Sequence, residues 1–344
     1  MTTLHWKQIN RSVLARQLLL ERSPLPLHRV VERMAGAQAQ YIPSAYVGLW
    51  SRTAGFDRAA LTDALGRRSI VQATLMRGTI HLVSRADYWP MAVAIRQRMR
   101  DWWLQAQRSG VGSGDMEGLA GRLRSLLADG PRKRNELIAA LDIDSAIWGG
   151  VGYWVELVRV PPSGTWETRR ADLYGLASSW VGPNGAEHLS GVDLLIRRYL
   201  AGFGPASRED MKAFTSLSLT TIDESLKRLS VRSFTDENGG TLVDLRGAVL
   251  PEPDIRAPAR FLGTWDASLL VHARRSLILP EEYRGLIFHT KAPHSFNTFL
   301  VDGQVAGTWR EEGGEIRLES FQPIPRRFRR ELDEEKERLV ALFD

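Results

Sequence analysis

The sequence predicts a mainly α fold with β wings, an α+β chain in which groups of short helices are followed by β hairpins and a small β-rich unit closes the C-terminus. Three observations predict it. Helix-like stretches followed by two strand-like runs recur three times; a Gly-Pro junction repeats inside the second and third of these stretches; and from about Ala257 the pattern changes to alternating apolar and polar residues.

In the first stretch Asn10 is expected to cap a helix running to about Glu21, which Pro24 and Pro26 break. Residues 27–34 (LHRVVERM) supply a second helix. Pro43 and Ser44 open a third around AYVGLWSR, and Asp57 to Arg67 makes a fourth. The runs IVQATLMR and TIHLVS come after these as two strands joined at Arg77-Gly78. Helices followed by a hairpin are the order of a winged helix.

The second stretch begins near Glu117 and the third near His188. In the second, Gly130-Pro131 is followed by Arg134 and Glu136; in the third, Gly204-Pro205 is followed by Arg208 and Asp210, so in both a helix ends at Gly-Pro and the next opens on an arginine and an acid. The third closes in VRSFTDENGGTLVDL, where Asn238-Gly239-Gly240 is a hairpin turn, and VRVPPSGTWETRRADL reads as a longer, Pro-interrupted wing in the second. In the last unit FNTFLVDGQVAGTW turns at Asp302-Gly303, EIRLESF adds a strand, and a charged helix runs from Arg326 to Phe343. The expected units are 1–110, 111–187 and 188–255, each a winged helix, and 256–344, an α+β unit that closes over or braces the array.

Composition excludes several classes. The chain has no cysteine, which rules out disulfides, iron–sulfur clusters and thiolate-held zinc. No run approaches the roughly 18 apolar residues of a membrane span, and the N-terminus lacks a signal-peptide pattern, so a cytoplasmic protein that meets no membrane is expected. His289 and His294 lack an acidic partner at metal-ligand spacing, no P-loop or nucleophile elbow is present, and neither a metal nor another cofactor is expected. The net charge of +6 is unevenly spread: residues 1–110 hold 16 Lys and Arg against 6 Asp and Glu, whereas the remainder is net acidic. A GC-rich genome accounts for arginine over lysine but not for that asymmetry, which suits a basic surface facing a phosphate backbone.

The order of elements, the triplet Gln38-Ala39-Gln40, the hairpin Arg77-Gly78-Thr79-Ile80-His81 and the late strand pair VDGQVAGTWR together resemble the winged-helix DNA glycosylases, from about Asn10 to Phe321. That family includes the azinomycin self-resistance glycosylase and the enterobacterial interstrand-crosslink glycosylase. The resemblance implies three tandem winged helices arranged as a C with a basic concave face, and catalysis by Gln38 and Gln40, as in the branch whose signature is Gln-x-Gln and not Gln-x-Asp. It implies a monomeric, monofunctional enzyme of DNA repair or antibiotic self-resistance that acts on double-stranded DNA containing alkylated purines.

The residues themselves supply a chemical rationale. Gly36 stops a helix and Pro43 biases Ile42 toward extended backbone, so Gln38 to Tyr41 should be extended, with the two carboxamides on one face. Hydrolysing an N-glycosidic bond ordinarily needs an acid for the departing base and a carboxylate to support the cationic sugar. A purine alkylated at N7 already carries positive charge and leaves as a neutral base, so preorganised amides suffice to orient water and stabilise the transition state. No lysine lies near the triplet, which argues against a Schiff-base step. Arg77 at the wing tip and His81 on its strand are expected to touch DNA, as is Tyr41, with Trp50, Trp102 and Trp103 read chiefly as core aromatics. The competing reading is a non-catalytic winged-helix transcriptional regulator, which would normally be a symmetric dimer on a palindrome.

Overall fold

The computed structural model describes residues 2–107, 110–270, 275–289 and 294–343. The first strand reaches far along the chain. Thr3–Leu4 adds a parallel strand beside Thr235 and Asp236 of the third hairpin, and the first helix, Trp6–Arg16, is capped by His5, whose Nδ1 accepts from the Lys7 amide at 3.2 Å. Asn10 is therefore not the cap expected from sequence. It lies inside the helix, fully buried, and its side-chain amide donates to the carbonyls of Leu277 (2.8 Å) and Gly303 (2.9 Å). A buried carboxamide is tolerated when its donors are used, and here they rivet the first helix to the C-terminal unit.

The next helix, Leu27–Arg33, ends in a Schellman arrangement that aims the chain into the site. The Gly36 amide donates to the Val31 carbonyl and the Ala35 amide to that of Glu32, with Ala35 at φ 59° and Gly36 at φ 90°. A side chain at Gly36 would meet Val83 at 3.2 Å, so glycine also permits the backbone to pass close under the neighbouring strand. Beyond this turn the chain forms the short strand Ala37–Gln38, then the fully buried helix Ile42–Trp50, and then Arg58–Gly66, capped by Asp57. Tyr41 is extended (φ −120°, ψ 115°), but the strand itself stops at Gln38, Gln40 and Tyr41 form a bend, and Ile42, expected to be extended, is the first residue of its helix with Pro43 the second, a position where proline fits.

Ala37–Gln38 pairs with Ile80–Ser84, which pairs with Ile70–Thr74, and this strand continues into Leu157–Arg159, Leu173–Leu176 and Arg132–Lys133 of the second stretch. The first and second hairpins therefore share one antiparallel sheet of six strands. The third hairpin, Val231–Asp236 and Thr241–Leu245, turns where Asn238-Gly239-Gly240 predicts, with Asp236 Oδ1 accepting from the amides of Asn238 and Gly240. A 22-residue helix, Arg85–Ala106, packs lengthwise on His188–Phe203, and both share one core with the first hairpin and the third stretch. It was not foreseen from sequence.

The C-terminal sheet, in the order Arg260–Leu262, Asn297–Val301, Gln304–Glu312, Glu315–Ser320, turns at Asp302-Gly303 with both residues at positive φ, and the helix Arg326–Phe343 covers one face. Val47 and Trp50 of the buried helix belong to that same core, so this unit braces the segment carrying the Gln triplet. Three arginines strengthen the brace, and a fourth, Arg16, ties the first helix to the third hairpin. Arg11 pairs with Asp302 (2.6 Å), Arg16 with Asp244 (2.6 Å), Arg22 with Glu335 and Arg52 with Asp266 (2.9 Å), all with guanidinium groups largely out of solvent. Part of the basic excess of the N-terminal third is therefore matched within the chain, by acids far along the sequence, and only the remainder is available to a phosphate backbone. No helix among the described residues is long and apolar enough to cross a membrane.

Candidate active site

The strand after the Schellman turn lays the Gln triplet against the first hairpin. Gln38 lies opposite His81 in register, Ala39 is fully buried and donates its amide to the Ile80 carbonyl at 2.7 Å, and Gln40 is exposed. Both carboxamides reach the hairpin turn. Gln38 Oε1 accepts from Arg77 Nη2 at 2.8 Å, and Gln40 Oε1 accepts from the Ile80 amide at 3.2 Å. Each donor fixes which end of its amide is oxygen. An amide oxygen has two lone pairs and its nitrogen two hydrogens, so each glutamine retains further hydrogen-bonding capacity for water or sugar.

Arg77 does not stand out from the wing tip as the sequence suggested. At φ 58° its backbone is left-handed, and the half-buried side chain turns inward: Nη1 donates to the Phe214 carbonyl at 3.0 Å and the guanidinium lies 5.1 Å over the Phe214 ring. Phe214 belongs to Arg208–Thr215 of the third stretch, so the tip of the first hairpin is plugged into the third unit. Among the described residues no carboxylate pairs with Arg77. Burial lowers its guanidinium to about 10, which still leaves it charged at neutral pH.

His81 corrects a second expectation. It is 1% exposed, its Nδ1 lies 3.0 Å from the Thr79 carbonyl and so carries the proton, and burial together with the charge of Arg77 pushes its pKa down to about 3. A neutral, enclosed imidazole has no face for a phosphate. It supports the strand on which Gln38 rests.

Tyr41, the residue after the triplet, is 48% exposed and stands at the edge of a cleft of about 960 Å³ on the C-terminal sheet; Gln38 and Gln40 are not among the residues that line it. The opposite wall holds Trp265, Phe296, Arg310, Arg317 and Glu319. Ser44 fastens the two walls: its hydroxyl accepts from the Thr264 amide at 3.1 Å and bonds the Thr264 hydroxyl at 2.5 Å. Trp265 has φ 60°, a conformation a bulky residue adopts only when its surroundings impose it. Arg310 and Arg317 face each other across adjacent strands, a repulsive pairing relieved by Glu312 at 3.6 and 2.9 Å. Sequence reasoning missed this wall; alternation in the last two strands was visible, but which face lines the cleft was not. Trp50 and Trp103 are core residues, whereas Trp102 is 47% exposed. Among the described residues no cluster of three or more His, Asp or Glu is placed to hold a metal ion; the side chains of His289 and His294 lie outside what is described.

A family model for AlkZ-like DNA glycosylases matches residues 31–342, a span that takes in the triplet, the hairpin and the C-terminal sheet. The chain belongs to the AlkZ-like DNA glycosylase family. Among similar proteins is an interstrand DNA cross-link repair glycosylase of Streptomyces sahachiroi, 25% identical over 353 aligned positions that take in 93% of this chain and 92% of that one. The solved structure of the DNA glycosylase AlkZ from Streptomyces sahachiroi has the same fold, with a TM-score of 0.82 at 21% identity over 99% of this chain and 98% of that one. The protein is thus a DNA glycosylase, and the non-catalytic regulator is set aside.

Within an AlkZ-like glycosylase the geometry distinguishes the two amides. Gln38 accepts from a cation, which withdraws electron density from its oxygen and sharpens its N–H groups as donors. Gln40 accepts only from a neutral amide, so its oxygen keeps more of its negative partial charge. A buried cation disfavours positive charge developing beside it, so the surroundings of the Gln38 oxygen are the less favourable of the two for a positive charge.

Proposed function

We propose that this glycosylase hydrolyses the N-glycosidic bond of bulky N7-alkylated guanine in double-stranded DNA, with N3-alkyladenine and interstrand crosslinks as related substrates. In this reading it is a cytoplasmic, monomeric, monofunctional enzyme of DNA repair or of self-resistance to a genotoxic natural product. The three groups of helices with their hairpins act as tandem winged helices around the duplex, within the units 1–110, 111–187 and 188–255, and the unit 256–344 closes the cleft. Gln38 donates to and orients the attacking water, Gln40 supports the oxocarbenium-like sugar, and Tyr41 faces the lesion strand. Arg77 serves as a positioning residue that holds Gln38.

The observation that carries this reading is the pair of neutral carboxamides fixed on the hairpin by Arg77 and the Ile80 amide, with no carboxylate bonded to either among the described residues. Such a site is suited to a base that is already cationic and departs without being protonated. The name of the Streptomyces relative, a cross-link repair glycosylase, points the same way.

The test is a panel of duplexes carrying N7-guanine adducts of graded bulk, alongside uracil, 8-oxoguanine and 1,N6-ethenoadenine, scored by alkali-labile cleavage. Excision of the N7 adducts alone is expected. Efficient release of uracil would mean that an acid assists the leaving group, and Glu319 in the cleft would then be the residue to replace.

A further inference from the structure

A second cavity, of about 280 Å³, opens between the long helix Arg85–Ala106, the first hairpin at Thr74, Leu75 and Gly78, and residues 134–174; neither Gln38 nor Gln40 lines it. Trp148, Tyr153 and Tyr174 line it, with Trp148 and Tyr174 meeting edge to face at 5.2 Å. Its charged residues are Arg96, Arg134, Arg159 and Glu156. Arg96 and Glu156 pair at 2.6 Å. Arg134 has only the Trp148 ring, 6.0 Å away, and Arg159, 7% exposed, has the hydroxyls of Thr74 (3.1 Å) and Tyr174 (3.4 Å) and the Tyr174 ring at 5.1 Å. No carboxylate among the described residues lies within ion-pair distance of either. A buried guanidinium without a counter-ion is costly, and burial accordingly depresses the pKa of Arg159.

The cavity therefore presents aromatic surface beside two uncompensated positive charges. Gly149 and Gly152 line it, and a Cβ placed at Gly149, on the helix Ser145–Val151, would meet no atom within 4 Å.

We propose that this cavity binds a 5′-phosphorylated nucleotide, its base against Trp148 and Tyr174 and its phosphate between Arg134 and Arg159. A phosphomonoester carries between one and two negative charges near neutral pH, which matches the unbalanced charge of the lining. Arginine forks favour phosphate, and aromatic side chains accept unstacked bases without demanding a particular one. Two sources present this chemistry, a free mononucleotide and the 5′-phosphorylated end of a DNA strand. The proposal stands apart from the glycosylase mechanism, because none of these residues contacts the Gln pair.

Titration calorimetry of the full chain against guanosine 5′-monophosphate, guanosine, and a short single-stranded oligonucleotide with and without a 5′-phosphate tests it. The phosphorylated form of a pair should bind at least about tenfold more tightly than its unphosphorylated form, the scale of one charge-assisted contact. Arg134→Ala should lose about that factor, and Gly149→Phe, which adds a bulky side chain to the lining, should abolish binding while excision of an N7-alkylguanine is unchanged. Preference for the oligonucleotide identifies a strand end as the source, and preference for the monophosphate identifies the free nucleotide. Equal binding of phosphorylated and unphosphorylated ligands, undiminished binding by Gly149→Phe, or no binding by any probe would overturn the proposal.

Discussion

The oxygens of Gln38 and Gln40 meet different donors, a cation in one case and a backbone amide in the other, and the proposed division of work between them rests on that difference. Replacing either by alanine should slow base release by about 100-fold or more, with the melting temperature nearly unchanged. Arg77→Ala should also slow excision while leaving affinity for undamaged duplex close to wild type, since its guanidinium is occupied inside the protein; Arg77→Lys should recover part of the rate. Single-turnover rates and duplex-binding isotherms separate these effects, and a parallel loss of binding would return Arg77 to the DNA surface. His81 makes a prediction about stability. Its folded pKa of about 3 lies below the ordinary histidine value near 6.5, so the unfolded chain binds more protons between those values. Stability should be fully present above about pH 6.5 and fall with acidification through that window, by up to about 1.4 kcal/mol per pH unit from this residue. His81→Gln should flatten that part of a melting-temperature profile. The triplet acquires meaning from sequence only through its place after the second helix and its resemblance to the family. The inward turn of Arg77 was hidden because a left-handed arginine before Gly78 has no local signature.

Among the elements, the hairpins were the most legible. Asn238-Gly239-Gly240 and Asp302-Gly303 turn where their φ > 0 propensities require, and the helices opened by Asp57 and by Pro43-Ser44 lie within a residue or two of expectation. The long helix Arg85–Ala106 escaped notice because Pro90 stands inside it and its apolar residues, packed on several sides, give little one-faced periodicity. Asn10 misled because a capping residue type was read as a cap, when its partners lie more than 260 residues away. The Schellman turn at Ala35-Gly36 is the element on which the site depends. Gly36→Ala introduces a side chain at φ 90° and 3.2 Å from Val83. It should cost about 1–3 kcal/mol in urea unfolding and reduce excision as the strand behind it shifts. An unfolding midpoint equal to wild type would show that the turn is not under this constraint.

At the scale of the whole molecule, long-range ion pairs and a shared sheet make one scaffold of units that looked separate in sequence. The charge asymmetry was legible, but half of its meaning was not: Arg11, Arg16, Arg22 and Arg52 answer acids between Asp244 and Glu335, contacts that no local pattern encodes. That scaffold holds two neutral amides against the first hairpin, and the central claim is that they act without a titrating acid. The most direct test is the single-turnover rate of N7-alkylguanine excision as a function of pH, with DNA binding held saturating. Between His81 at about 3 and Arg77 at about 10, neither of these flanking groups changes charge near neutrality, and carboxamides do not ionise. The rate should be nearly flat from about pH 6 to 8. A rate that falls steadily as pH rises through about 7 would contradict the account and place a general acid in the reaction.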